Sequence, residues 1–121
     1  MARDHRKLRA FLESDELVVT AYTLTGTFPS EERYGLQSQI RRAAVSVSVN
    51  VVEGSARTSV VEYCRFLDVA SASARECSYL FRLCSRLSLM NPQDAAAVAN
   101  AYDRISASLI AAIKTLRALD R

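Results

Sequence analysis

Phe28-Pro29-Ser30-Glu31-Glu32-Arg33-Tyr34-Gly35-Leu36, continuing from Gln37 to Arg57 as QSQIRRAAVSVSVNVVEGSAR, is the stretch that decides the fold. At roughly 100° per residue, Leu36, Ile40, Ala43, Ala44, Val47, Val51 and Gly54 gather on one helical face wide enough to meet a bundle core. Val45, Val49 and Val52 gather roughly opposite, beside Tyr34. A helix with two apolar faces needs two sets of partners, and the economical outer partner is a second copy of the chain. Tyr34, Val45, Val49 and Val52 are therefore the predicted oligomer interface; the alternative is a stripe covered by the first helix or by loops.

Between the two stripes, on one flank, lie Gln39, Arg42, Ser46, Asn50 and Glu53, again at spacings of three and four. In an antiparallel hairpin pivoting near Ala56, Arg42 is expected near Ser71, with Glu76 within reach of Arg41 or Arg42. Gln39, Arg42, Ser46, Asn50, Glu53 and Glu76 then form a polar network. Its expected role is to hold helix register and subunit orientation; a small polar ligand is the alternative, without an activated nucleophile or base.

Working outward, positions on one side at Leu8, Phe11, Leu12, Val18, Val19, Tyr22 and Thr25 predict a first helix over about 6–25, ended by Gly26 and Thr27. Ser30 is the expected cap of the second helix, 30–53, with Glu31 and Glu32 in its first turn and Gly54 as a left-handed terminal residue. Thr58 or Ser59 caps a third helix, 59–88, whose core seam runs Val60, Cys64, Leu67, Ala74, Phe81, Cys84. Phe66, Val69, Leu80, Leu83 and Leu87 broaden its apolar side, so two neighbouring helices are expected to share a contact surface. Asn91-Pro92 starts the fourth helix, 92–119, with its seam at Val98, Tyr102, Ile105, Leu109, Ile113 and Leu116. Four helices on short joints pack most simply as one all-α domain over 1–121, an antiparallel up-down-up-down four-helix bundle.

Composition narrows the function classes. With 121 residues, three Gly and two Pro, little of the chain is left for linkers. The net charge of +3 permits a polyanionic partner without requiring one. Cys64, Cys77 and Cys84 have no CxxC spacing and only one His, His5, accompanies them, which argues against zinc and against a disulfide framework and for buried thiols in a reducing cytoplasm. The basic start lacks an apolar run, so no secretory signal is expected, and no stretch approaches ~20 apolar residues, so no membrane span is expected. Without a metal cluster, a phosphate loop or a Ser-His-Asp set, the chain is expected to be non-enzymatic and to need no cofactor.

The pattern Phe28-Pro29, Glu32, Tyr34-Gly35-Leu36, Gln39-Ile40-Arg41-Arg42-Ala43-Ala44, Ser46-Val47, Asn50-Val51, Glu53-Gly54, Arg57 resembles the signature of the bacterial 23S rRNA intervening-sequence proteins. The likeness continues through Phe66-Leu67, Ala70, Ser73 and Glu76, and through Phe11, Leu17 and Tyr22. The chain departs from it at Ser14, Ala72, Ala74 and Cys77. The resemblance implies an up-down bundle that assembles into a homopentamer. It also implies a fold similar to the accessory proteins of diversity-generating retroelements, whose basic pentamers act with a reverse transcriptase on RNA or DNA.

Three basic clusters are the candidate nucleic-acid contacts: Arg3, Arg6, Lys7 and Arg9 at the start, Arg75, Tyr79, Arg82 and Arg86 on the third helix, and Lys114, Arg117 and Arg121 at the end. A ring would multiply such weak patches into an avid surface. Interspersed Glu13, Asp15, Glu16 and Asp68 favour the opposing view, that these are solvated faces of a protein-interaction scaffold.

Overall fold

The computed structural model describes residues 3–120. Its four α-helices are α1 (Arg9–Thr25), α2 (Leu36–Ser55), α3 (Val60–Arg86) and α4 (Pro92–Leu119), with single 3₁₀ turns at His5–Lys7 and Ser30–Glu32. Each helix packs on the next, and α4 returns to α1, closing an antiparallel up-down-up-down bundle. The α3–α4 contact is the most extensive and α1 touches α4 only lightly.

The helix ends follow local chemistry. Ser59 accepts from the Glu62 amide and Asn91 accepts from the Asp94 amide, with Pro92 in the first turn where its missing N–H does no harm. The predicted start of the second helix at Ser30 is corrected to Leu36. After the turn at Ser30–Glu32, Gly35 adopts φ −104°, ψ −114°, outside the helical region, so propagation begins only beyond it. The Glu32 carboxylate takes up the helix start by accepting from the Leu36 amide at 3.2 Å.

Gly54 also differs from expectation. It lies inside α2, and among the described residues no glycine has positive φ. A Cβ at Gly54 would stand 2.8 Å from Phe66 Cβ and 3.1 Å from Tyr63 Cδ1, so the residue is small because α2 and α3 cross closely there. The left-handed helix end falls instead on Ser88, φ 59°. There the Leu89 amide reaches back to Cys84 O at 2.9 Å and the Ser88 amide to Ser85 O at 3.0 Å, the double closure of a Schellman turn.

Both predicted seams are buried apart from half-buried Val60 and Leu116. Leu80, assigned to the outer side of the third helix, is also in the core, while Val69 and Leu87 are exposed. Phe81 and Tyr102 stack at 6.2 Å between α3 and α4. Full burial of a side chain of this kind stabilises by about 1.5–3 kcal/mol. Serine pairs tie each consecutive helix pair: Ser14–Ser48 at 3.0 Å, Ser46–Ser73 at 2.9 Å and Ser71–Ser106 at 2.9 Å. Small hydroxyls let the backbones approach while satisfying one another, each pair contributing about 0.5–1.5 kcal/mol net.

Candidate functional site

The inner stripe of α2 is consumed by the core, so the outer stripe is what the fold leaves for a partner. Tyr34 is 87% exposed, Val49 43% and Val52 37%, while Val45 is half-buried. Tyr34, Val45 and Val49 form part of an open groove of about 680 Å³, walled on the α1 side by Tyr22 and Arg41 and at its end by Arg33. Val52 prolongs the stripe beyond the groove.

Of the two arginines expected within reach of Glu76, Arg41 faces α1 instead and Arg42 is the one beside Glu76. Arg41 Nε donates to Thr25 Oγ1 at 3.0 Å, its Nη2 to Tyr22 O at 3.1 Å, and its guanidinium lies 4.4 Å from the centre of the Tyr22 ring. Gln37 Nε2 donates to Thr25 O at 2.9 Å. Two side chains of α2 thus satisfy carbonyls at the α1 C-terminus and hold Tyr22 against the groove wall. This clamp was missed in the sequence, although Arg41 stands on the Gln37 side of α2, away from Gln39. Arg33 lies 5.5 Å from the Tyr34 ring centre, so the groove carries Arg33, Arg41 and Arg42 and no carboxylate in its lining.

On the other flank the polar network is assembled in part. Asn50 Nδ2 donates to Ser46 O at 2.8 Å and to Ser46 Oγ at 3.1 Å, Ser46 pairs with Ser73, and Gln39 Nε2 donates to Glu76 Oε2 at 3.4 Å. Arg42 joins Gln39, Ser46 and Glu76 around a smaller hollow of about 350 Å³. Ser71 turns to Ser106 rather than to Arg42, because it lies on the α4 side of α3. Glu53 is exposed and makes none of these bonds.

The basic clusters are placed as follows. Arg3 is anchored by its amide to Ser55 O at 2.6 Å and its guanidinium lies 4.6 Å from the Tyr63 ring centre, which ties the chain start to the α2–α3 turn. Arg117 meets Asp68 near the start of α3, so the first and last clusters share that end of the bundle. Arg121 lies outside the described residues. Arg75, Tyr79, Arg82 and Arg86 form one exposed row along the α4 edge of α3. Several cations are paired: Arg6 with Asp4, Arg9 with Glu13, Arg82 with Asp103 and Arg117 with Asp68. Ser78 and Arg82 beside Asp103 hold its carboxyl below the usual range.

Two of the buried thiols, Cys77 and Cys84, are chemically quiet. Burial pushes Cys77 up to about 12 and Cys84 up to about 11, leaving both protonated at neutral pH. Burial likewise raises Tyr102, whose hydroxyl lies beside the Cys77 thiol without a well-formed hydrogen bond. Among the described residues no three His, Cys, Asp or Glu side chains gather to hold a metal ion, and no helix is long and apolar enough to cross a membrane.

A crystal structure of a protein of unknown function from the S23 ribosomal protein family of Bacteroides thetaiotaomicron has the same fold. Its TM-score is 0.78 at 22% identity, covering 87% of this chain and 98% of that one. No curated protein sequence matches the chain. The sequence pattern that defines the 23S rRNA-intervening sequence proteins matches residues 6–111 and takes in α2 with both its faces, and the chain therefore belongs to that family.

Proposed function

We propose that this chain is a non-enzymatic helical bundle that self-associates through the outer face of α2, as a pentamer by resemblance to its relatives. In this reading it acts in the cytoplasm as an accessory factor that contacts RNA or DNA through its basic surface. The observation that carries self-association is the exposed row of Tyr34, Val49 and Val52 continuing from a built groove. The end shared by Arg3, Lys7 and Lys114, and the row from Arg75 to Arg86, are the surfaces assigned to nucleic acid.

Light scattering after size exclusion, with and without RNA, tests both parts. The expected result is a mass several times 13.4 kDa and an RNA complex whose affinity falls steeply with salt. A monomer overturns self-association, and no binding at low salt overturns the nucleic-acid role.

A second reading is a scaffold for another protein with no nucleic-acid role. The pairing of Arg6, Arg9, Arg82 and Arg117 with carboxylates favours it, since a neutralised cation gains little from a phosphate. Recovery of one protein partner without nuclease-sensitive material would select it.

A further inference from the structure

We propose that the α2 groove of one copy receives the outer face of α1 from the next copy, so that the subunits join head to tail through two unlike surfaces. The inference rests on the self-association reading and names the partner of that groove. Leu12 and Val19, 51% and 67% exposed, stand on the solvent side of α1 with exposed Asp15 and Glu16 between them. The positions follow i, i+3, i+4, i+7 and make one stripe. Glu13 is held by Arg9, and Glu16 borders a hollow with Arg9 and Arg104, but among the described residues neither Asp15 nor Glu16 is in an ion pair.

This stripe is the complement of the groove in three respects. Its apolar ends span seven residues, as Val45 to Val52 do, so both run about 10 Å along their helices. Its own charged residues, Asp15 and Glu16, are negative, with Arg9 and Arg104 only at the Leu12 end, where the groove presents Arg33, Arg41 and Arg42 and no carboxylate. It also lies on a different helix, so each subunit carries one copy of each surface. A groove meeting its own copy would instead oppose like charges, arginine row to arginine row, which is costly when water is excluded. Unlike surfaces at neighbouring corners of a bundle leave one of each open after every addition, and assembly stops only when a ring closes. A nucleic-acid strand would satisfy the arginines but leave the Val45–Val49 floor without an apolar partner.

Complementation between two single-face variants tests the contact. Val49→Glu disables the groove and Val19→Arg disables the α1 face. Each alone is expected to run as a monomer with unchanged circular dichroism, and an equimolar mixture is expected to run at twice 13.4 kDa, since one groove and one α1 face remain intact between the two chains. If Val19→Arg assembles like the parent chain while Val49→Glu does not, α1 is not the occupant and self-association stands. A mixture that stays monomeric also overturns the proposal. A monomeric parent chain overturns the underlying reading as well. If the groove substitution alters RNA retention but not mass, the groove belongs to nucleic acid and the proposal fails.

Charge reversal keeps the test decisive if an apolar substitution disturbs folding. Asp15→Arg with Glu16→Arg is expected to weaken assembly by about tenfold or more, and adding Arg33→Glu with Arg42→Glu in the same chain is expected to restore it. Loss without restoration would overturn the contact.

Discussion

On the inner face of α2, Ile40, Ala44, Val47 and Val51 are wholly excluded from water, whereas half a turn away Val49 and Val52 remain exposed. Both faces use valine at helical spacing, so residue type does not separate them. What separates them is what stands opposite: α1 and α3 pack against the first face, whereas among the described residues the second is covered only in part, with Val45 half-buried in the groove. Glycine and small serines mark the covered side, where backbones approach closely, while arginine and tyrosine mark the open side, where long side chains frame a groove. The same apolar pattern therefore serves folding on one face and, in the proposed assembly, recognition on the other.

The contrast is broken most severely by Val47→Asp, which places an unpaired carboxylate in the core. A loss of at least about 3 kcal/mol is expected, enough to unfold a marginal domain, and urea denaturation followed by circular dichroism reads it.

Alkaline pH attacks the covered side as a whole. Cys77, Cys84 and Tyr102 have raised folded-state pKa values, so the unfolded chain releases their protons first and stability is lost as pH rises. The stability the two thiols contribute is complete below about 9 and falls through 11 and 12, at up to about 1.4 kcal/mol per pH unit for each thiol in its window, and Tyr102 acts in the same direction at higher pH. Thermal melts between pH 8 and 11 should show a falling midpoint, and a thiol reagent at pH 7 should label the native chain only slowly.

Gly54→Ala is a smaller disturbance of the covered face. Its added methyl meets Phe66 Cβ and Tyr63, and a loss of about 1–3 kcal/mol is expected from forced separation of α2 and α3, against the modest gain in helix propensity that alanine brings elsewhere. An unchanged denaturation midpoint would show that the crossing relaxes without strain.

Val49→Glu sharpens the comparison from the open side. Its effect on subunit stability is expected to stay within about 0.5 kcal/mol when the subunit is compared as a monomer, while the assembled mass drops. A stability loss comparable to that of Val47→Asp would mean that the two faces are not distinct.

Much of this arrangement was legible in the residues. Four helices, a cap at Thr58 or Ser59, the Asn91 cap, the seam from Cys64 to Cys84 and the two stripes of α2 follow from periodicity and end chemistry, which are local. The errors came where local signals were ambiguous. Gly54 satisfies a helix-end pattern, yet its smallness answers to Phe66 on another helix. Ser30 has the composition of a cap, but Gly35 delays the helix by six residues. Arg41 and Arg42 are adjacent in sequence and about 100° apart around the helix, so one clamps α1 while the other borders the hollow beside Glu76. Ser14 gains its meaning only from Ser48 across the helix interface.

By itself the sequence determined the helices, the direction of their apolar faces and the family, because each depends on spacing along one chain. Only the tertiary structure decided which valines are covered, which serines pair, which cations are neutralised and that three arginines line one groove without a carboxylate. Those properties depend on distances between helices, and interhelical distance is set by packing of all four at once.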